Sequence, residues 1–253
     1  MLDSSTLRTA IALAVLLWLP QLRYGTPGVT RSAADRLPAS VAPSRIKLYR
    51  YALTWQVTAF MGLQSLLYYA ALSWLPTIFQ DRGASPVAAG NLLALMGVGN
   101  LATSLLVPVL AHRARGQRGL VVPSLVGTAA GLAGALWAPL GTAPLWVLVL
   151  GVSQGSCLGL AIFFTMARAP DPGTAASLSG FAQSVGYLVA SAGPLEVGLL
   201  HTATGSWNIP MVLVLILAGI ELTVGVLAAR PLVLPGAVPE PVSAGVAALR
   251  DRG

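Results

Sequence analysis

Charge is what this sequence has least of. Of its 253 residues, 9% are Asp, Glu, Lys or Arg, while 55% are apolar. Mean hydropathy is +0.76. A soluble domain carries roughly 25% charged residues, so this chain cannot cover a water-facing surface. Soluble globular enzymes, disordered chains and collagens are excluded on that ground. Sulfur and imidazole are nearly absent as well: Cys157 is the single cysteine, and the histidines are His112 and His201. That leaves no disulfide framework and no thiolate–imidazole metal cluster, and no cofactor is expected. Alternating strands of about ten residues are missing too, which excludes a membrane β-barrel. What is present in quantity is long apolar runs, and a helical membrane protein is the class that remains.

A membrane-spanning helix needs about 20 mostly apolar residues. Six stretches qualify: Leu53–Phe79, Val87–Ala111, Leu120–Pro139, Leu145–Ala167, Ala175–Leu200 and Trp207–Ala229. Short loops separate them, among them QDRGASP (80–86), HRARGQRG (112–119) and RAPDPGT (168–174). A seventh run, Thr9–Leu22, has only 14 residues. It reads as a clipped spanning helix; a signal peptide is the other reading, but no A-x-A-like cleavage site follows the run. Between it and the first full span, Arg23–Arg50 is rich in Pro, Ser and Ala and reads as a flexible connecting loop.

The formal net charge of +7 is unevenly placed. Arg23, Arg31, Arg36, Arg45, Lys47 and Arg50 share one loop. Arg113, Arg115 and Arg118, then Arg168, then Arg230, Arg250 and Arg252 follow in alternate connections. Thus 13 of the 15 basic residues fall on one side, which the positive-inside rule assigns to the cytoplasm. The basic excess sets topology, and nucleic acid is not an expected partner.

The sequence also repeats itself at an offset of 86 residues: Pro86 and Pro108 match Pro172 and Pro194. Two tandem units of three spans each must sit in opposite orientations, a pattern characteristic of secondary transporters. Two strings imitate catalytic motifs. Gly151-Val-Ser-Gln-Gly155 has the form of a hydrolase nucleophile elbow, and Gly97-Val-Gly-Asn-Leu-Ala102 that of a dinucleotide fingerprint. Both lie within apolar helical runs without the strand–turn–helix context they require. Gly151, Gly155 and Gly159, like Gly127 and Gly131, recur every four residues and predict close helix packing.

Polar residues inside the spans are the candidate functional set. Gln64 and Tyr68 lie four apart in a Q-S-x-x-Y string, as do Gln183 and Tyr187, and Asn100 and Gln154 also fall mid-span. Such groups need partners in hydrocarbon, either across helices or in a wet cavity. As a converging set of neutral donors and acceptors they predict a hydrated pathway for a small polar or anionic solute. Glu221, near the middle of the last span, is a possible proton-coupling acid; a protonated or interface-reaching acid on a peripheral helix is the other reading. Glu196 lies a turn from its helix end and is expected to reach the interface.

The strings WQVTAFMGLQSLLYYAALSWLPTIFQDRGASPVAAG, GVSQG and SGFAQSVGYLVASAGPLEVGLLHTATGSW resemble the cyanate and nitroimidazole permeases of the major facilitator superfamily, over roughly residues 7–230. That resemblance implies an all-α membrane fold of two six-helix bundles in the plasma (inner) membrane. Residues 1–22 would be the end of helix 6, 23–50 the central cytoplasmic loop, 51–230 the carboxy-terminal six-helix bundle and 231–253 a cytoplasmic tail. HRARGQRG would be a degenerate form of the superfamily's basic loop motif. The resemblance further implies a permease for a small solute such as cyanate, incomplete in this chain. The expected partners are the lipid bilayer, the solute, and an amino-terminal six-helix bundle or a second copy of the chain. A non-transporting remnant or interaction subunit is the alternative, and no enzymatic activity is expected.

Overall fold

The computed structural model describes residues 47–114 and 116–235. Within them the chain forms seven α-helices: α1 (Ala52–Asp81), α2 (Pro86–Arg113), α3 (Arg118–Trp137), α4 (Ala143–Ala167), α5 (Pro172–Ala190), α6 (Ala192–Thr204) and α7 (Asn208–Ala228). Single 3-10 turns, Leu48–Arg50 and Leu140–Thr142, precede α1 and α4. The expected clipped helix at 1–22, most of the 23–50 loop and the tail beyond 235 lie outside the described residues.

Four of these helices are long and apolar enough to cross a membrane by length and composition: α2, α3, α4 with its preceding turn, and α7. The expectation of six such spans is modified at two places. α1 has ample length at 30 residues, about 45 Å at 1.5 Å per residue, but Thr54, Gln56, Thr58, Gln64, Ser65 and two tyrosines dilute its hydropathy. The run Ala175–Leu200 is kinked, although Ser191 keeps helical dihedral angles and donates its N–H to the Tyr187 carbonyl at 3.0 Å. It divides at Ser191 into α5, 19 residues long, and α6, 13 residues long. Pro194 is the cause, since its ring displaces the carbonyl four residues back and it has no N–H to donate. Ser191 reinforces the break by donating its hydroxyl to the Leu188 carbonyl at 2.7 Å.

Local chemistry sets the other helix ends. Ser85 caps α2, its Oγ accepting the Ala88 N–H at 3.2 Å, with Pro86 at the first helical position. Asp171 caps α5 in the same way, ahead of Pro172: its carboxylate accepts the Thr174 N–H at 2.8 Å and the Thr174 hydroxyl at 2.7 Å. After α1, Gly83 adopts φ +96°, a left-handed conformation that lets the chain reverse into α2.

The helices pack as two interlocking triplets. α2 lies along α4 and α5 along α1; α3 packs on α4 and α7 on α1; α3 and α7 meet each other. Exchanging the first triplet (α1, α2, α3) for the second (α4, α5–α6, α7) reproduces this pattern, as the 86-residue repeat predicts. Close approach depends on glycine. A Cβ on Gly151 would sit 2.1 Å from the Met96 carbonyl oxygen, and one on Gly155 2.1 Å from that of Asn100. A Cβ on Gly131 would come within 2.8 Å of the Leu150 nitrogen. The glycine stripes are packing faces, and Ser153 is a helical residue between them.

Candidate functional site

The two Gln–Tyr strings lie on neighbouring helices but are staggered: Gly186, inside the second, packs on Gly62, while Leu66, inside the first, packs on Gly193 of α6. α1 and α5 touch at Gly62 and Gly186, where a Cβ on Gly62 would lie 3.2 Å from the Gly186 Cα. Gln64 follows that contact by two residues, and Gln183 and Tyr187 flank it. Gln64 is buried, its Oε1 accepting the Ser65 hydroxyl at 3.2 Å. Tyr68 is half-buried, its ring 5.7 Å from that of Tyr69. On α5, Gln183 is half-buried and donates Nε2–H to the Ser179 Oγ at 2.8 Å, while Tyr187 is exposed. Ser179, Gln183 and Tyr187 recur every four residues and form a polar stripe. Towards the start of α5 that stripe adjoins a cleft of about 540 Å³ between the end of α4 and the start of α5, lined by Thr165, Asp171 and Ser179 among apolar residues that include Ile162 and Met166.

Asn100 and Gln154 are placed by the α2–α4 crossing, where the Asn100 backbone packs on Gly155. Both side chains are buried, and Asn100 Nδ2 and both amide atoms of Gln154 have no hydrogen-bond partner. Burying an amide unpaired costs several kcal/mol in an apolar medium, so these atoms need a hydrogen-bonding partner. Thr54 and Thr58 of α1 carry similarly unpartnered hydroxyls.

Glu221 is fully buried, which removes the interface-reaching reading. One turn on, Gly225 packs against Phe60 of α1 and Val121 and Leu125 of α3, so this face of α7 points into the bundle. The Cys157 thiol of α4 is the polar neighbour of the carboxyl, and Thr128 of α3 lies beside that thiol. Neither Glu221 oxygen is held in a well-formed hydrogen bond. Glu196, by contrast, is exposed on α6.

Two arginines matter structurally in a way that reading them as topology signals missed. Arg82, at the end of α1, donates from both terminal nitrogens to the Ala135 and Ala138 carbonyls at the C-terminus of α3. Arg168, at the end of α4, donates Nε–H to the Ala228 carbonyl at the C-terminus of α7 at 3.0 Å and Nη2–H to Gln117 Oε1 at 3.1 Å. A cation that satisfies the last carbonyls also complements the negative end of a helix dipole. Arg168 is buried, with its guanidinium 5.1 Å from the centre of the Phe164 ring, and burial pulls its pKa below the ordinary arginine value. The two residues are 86 apart, so the repeat offset was the signal that could have paired them.

Among the described residues no group of three His, Cys, Asp or Glu side chains could hold a metal. A bundle of membrane-length helices in two exchangeable triplets, with unpartnered amides inside, has the build of a secondary transporter's bundle rather than of an enzyme. Residues 7–194 match the Major Facilitator Superfamily, and the chain belongs to that family of transporters. It is 38% identical to the 2-nitroimidazole transporter of Escherichia coli over 86% of this chain and 53% of that protein. It is 37% identical to an uncharacterized transporter of Bacillus subtilis over 80% of this chain and 48% of that one. It is also 30% identical to the cyanate transport protein of Escherichia coli, over 70% of this chain and 45% of the relative. The chain therefore spans about half the length of the curated relatives it matches.

Proposed function

We propose that this bundle is one half of a secondary transporter for small polar or anionic solutes, in the range of 2-nitroimidazole and cyanate that the names of its relatives mark out. The observation that carries the reading is the placement of Gln64, Gln183 and Tyr187 at the α1–α5 crossing, together with the unpartnered amides of Gln154 and Asn100 at the α2–α4 crossing. Amide and phenol groups bind a small anion or heterocycle without a fixed charge that would hold it permanently. Gln64, Tyr68, Asn100, Gln154, Gln183 and Tyr187 form the pathway in this reading, and Glu221 is the acid that takes up and releases the coupling proton. The half with the exposed α5 stripe closes against a second six-helix bundle. The cytoplasmic side is the one that carries Arg113, Arg118, Arg168 and the carboxy terminus, as the charge distribution supports.

The test is uptake of labelled cyanate and 2-nitroimidazole into proteoliposomes under a proton gradient. The 253-residue chain is compared alone and co-reconstituted with the amino-terminal six helices of the 2-nitroimidazole transporter. Uptake is expected only in the paired sample, reduced at least about tenfold by Gln183→Leu and uncoupled from the proton gradient by Glu221→Gln. Saturable uptake by the chain alone, lost in Gln64→Ala, would replace this reading with a working homodimer. A paired sample that co-purifies as a stable complex but carries neither solute would favour the non-transporting alternative.

A further inference from the structure

At the end of the bundle where α1 and α3 terminate and α7 begins, a cleft of about 350 Å³ is lined by Ile78, Arg82, Trp137, Ser206, Trp207 and Asn208. Its hydrogen-bond balance is one-sided. Asn208 Oδ1 already accepts from Trp137 Nε1 at 3.2 Å, and Asp81 Oδ2 from Trp207 Nε1 at 2.8 Å. The Ser206 Oγ accepts the Asn208 backbone N–H at 3.2 Å. These three acceptors are therefore engaged, and Asp81, whose Oδ1 is not part of that bond, stands outside the lining of the cleft. Among the donors, the Asn208 NH2 group, the Ser206 hydroxyl hydrogen and the guanidinium N–H bonds not turned towards Ala135 and Ala138 remain available. Two indoles complete the walls. Trp207 is held rigidly, stacked on His201 at 3.6 Å and tilted against Trp74 at 5.6 Å.

A wall that offers donors, one guanidinium and flat aromatic surfaces selects an acceptor-only, planar, negatively charged ligand. We propose that this cleft is a binding site for a small aromatic or planar carboxylate, separate from the pathway at the α1–α5 crossing and independent of whether the chain transports. The carboxylate is received by Arg82, Asn208 and Ser206, while its plane lies against Trp137 or Trp207. Asp81, the acid on this rim, is turned to the Trp207 N–H, which keeps one of its oxygens out of competition.

The experiment uses the purified 253-residue chain in detergent micelles and follows tryptophan fluorescence. 4-Nitrobenzoate is titrated against its neutral isostere 4-nitrobenzamide, both of which quench indole by contact. The carboxylate is expected to quench saturably and to bind at least about tenfold more tightly than the amide, a difference of one decade in Kd. Asn208→Asp keeps an oxygen for Trp137 but puts an anion where the NH2 group was. It should weaken 4-nitrobenzoate at least about tenfold with little change in melting temperature, while Ser104→Ala, which removes only a hydroxyl bonded back to the Leu101 carbonyl on α2, leaves binding unaltered. Equal quenching by the two probes, or an Asn208→Asp titration like that of the parent chain, would overturn the proposal. Loss of binding in Gln183→Leu instead would move the anion into the central pathway and equally refute this site.

Discussion

The two helix triplets share one plan and differ in how firmly each is closed. In the first, Arg82 ties α1 to the end of α3 from a half-buried position at the rim. In the second, Arg168 ties α4 to the end of α7 from a buried position, and also reaches Gln117 while its own carbonyl accepts the Leu234 N–H at 2.8 Å. Proline shows the reverse asymmetry. Pro108 lies inside an unbroken α2, against Gly159, whereas its counterpart Pro194 breaks α5 from α6. A back-bonding serine precedes both prolines, Ser104 and Ser191, so the difference lies in Gly193 beside Pro194 where α2 has Val107, and Trp74 holds the Pro194 carbonyl at 2.9 Å. A repeat fixes where elements go; neighbours decide which copy is rigid and which is bent.

The largest effect is expected where the triplets interlock. Gly155→Val would press a side chain onto the Asn100 carbonyl and the Thr103 hydroxyl, at 2.1 and 2.4 Å for the Cβ alone. Overpacking of a side chain costs typically 1–3 kcal/mol, and backbone on both sides leaves no rotamer to absorb it. At least about 3 kcal/mol of destabilisation is expected, seen as loss of the monodisperse peak in fluorescence-detected size exclusion. Gly180→Val, with nothing within 4 Å of its Cβ position, should leave the peak intact. Equal behaviour of the two variants would refute the packing role of the stripe.

Next in size is the difference between the two arginines. Arg168→Ala leaves the Ala228 carbonyl and the Gln117 amide oxygen without their buried donor, at about 1–3 kcal/mol per unsatisfied group. Arg82→Ala exposes the Ala135 and Ala138 carbonyls at a rim that water reaches, and about 1 kcal/mol is expected. Thermal melting in detergent should therefore rank Arg168→Ala well below Arg82→Ala. The opposite order would show that the first triplet, not the second, is the tighter one.

Much of this was legible from hydropathy and spacing. Four-residue glycine periodicity identified the packing faces because only glycine permits backbones to approach so closely, and the pairing of Pro86 with Pro172 reflected two equivalent helix starts. The break at Ser191 was not legible from hydropathy, because a kinked pair of helices is as apolar as a straight one; Gly193-Pro194 carried the signal. Nor could composition tell that Gln64 and Gln154 are buried while Tyr187 is exposed. Four-residue spacing gives a shared face but not what covers it. Glu221 illustrates the same limit: its depth in the span was readable, its inward direction was not.

The smallest effect separates the two helix caps by their response to acid. Ser85 and Asp171 cap equivalent helices, but only Asp171 titrates. Hydrogen bonds from the Thr174 N–H and hydroxyl hold the Asp171 carboxyl below its ordinary value. Because the folded value is the depressed one, the cap's contribution is complete above the ordinary carboxylate range and is lost as pH falls through the folded value. Asp171→Asn keeps an oxygen for the Thr174 N–H but removes the charge, and with it the favourable interaction with the start of the α5 dipole. At neutral pH the parent chain should melt slightly higher than Asp171→Asn, and the gap should close as the pH is lowered below the ordinary carboxylate range. The change caused by Ser85→Ala should stay flat over the same interval, since no group titrates there. A gap for Asp171→Asn that persists unchanged into acid would mean that shape alone, and not charge, holds the start of α5.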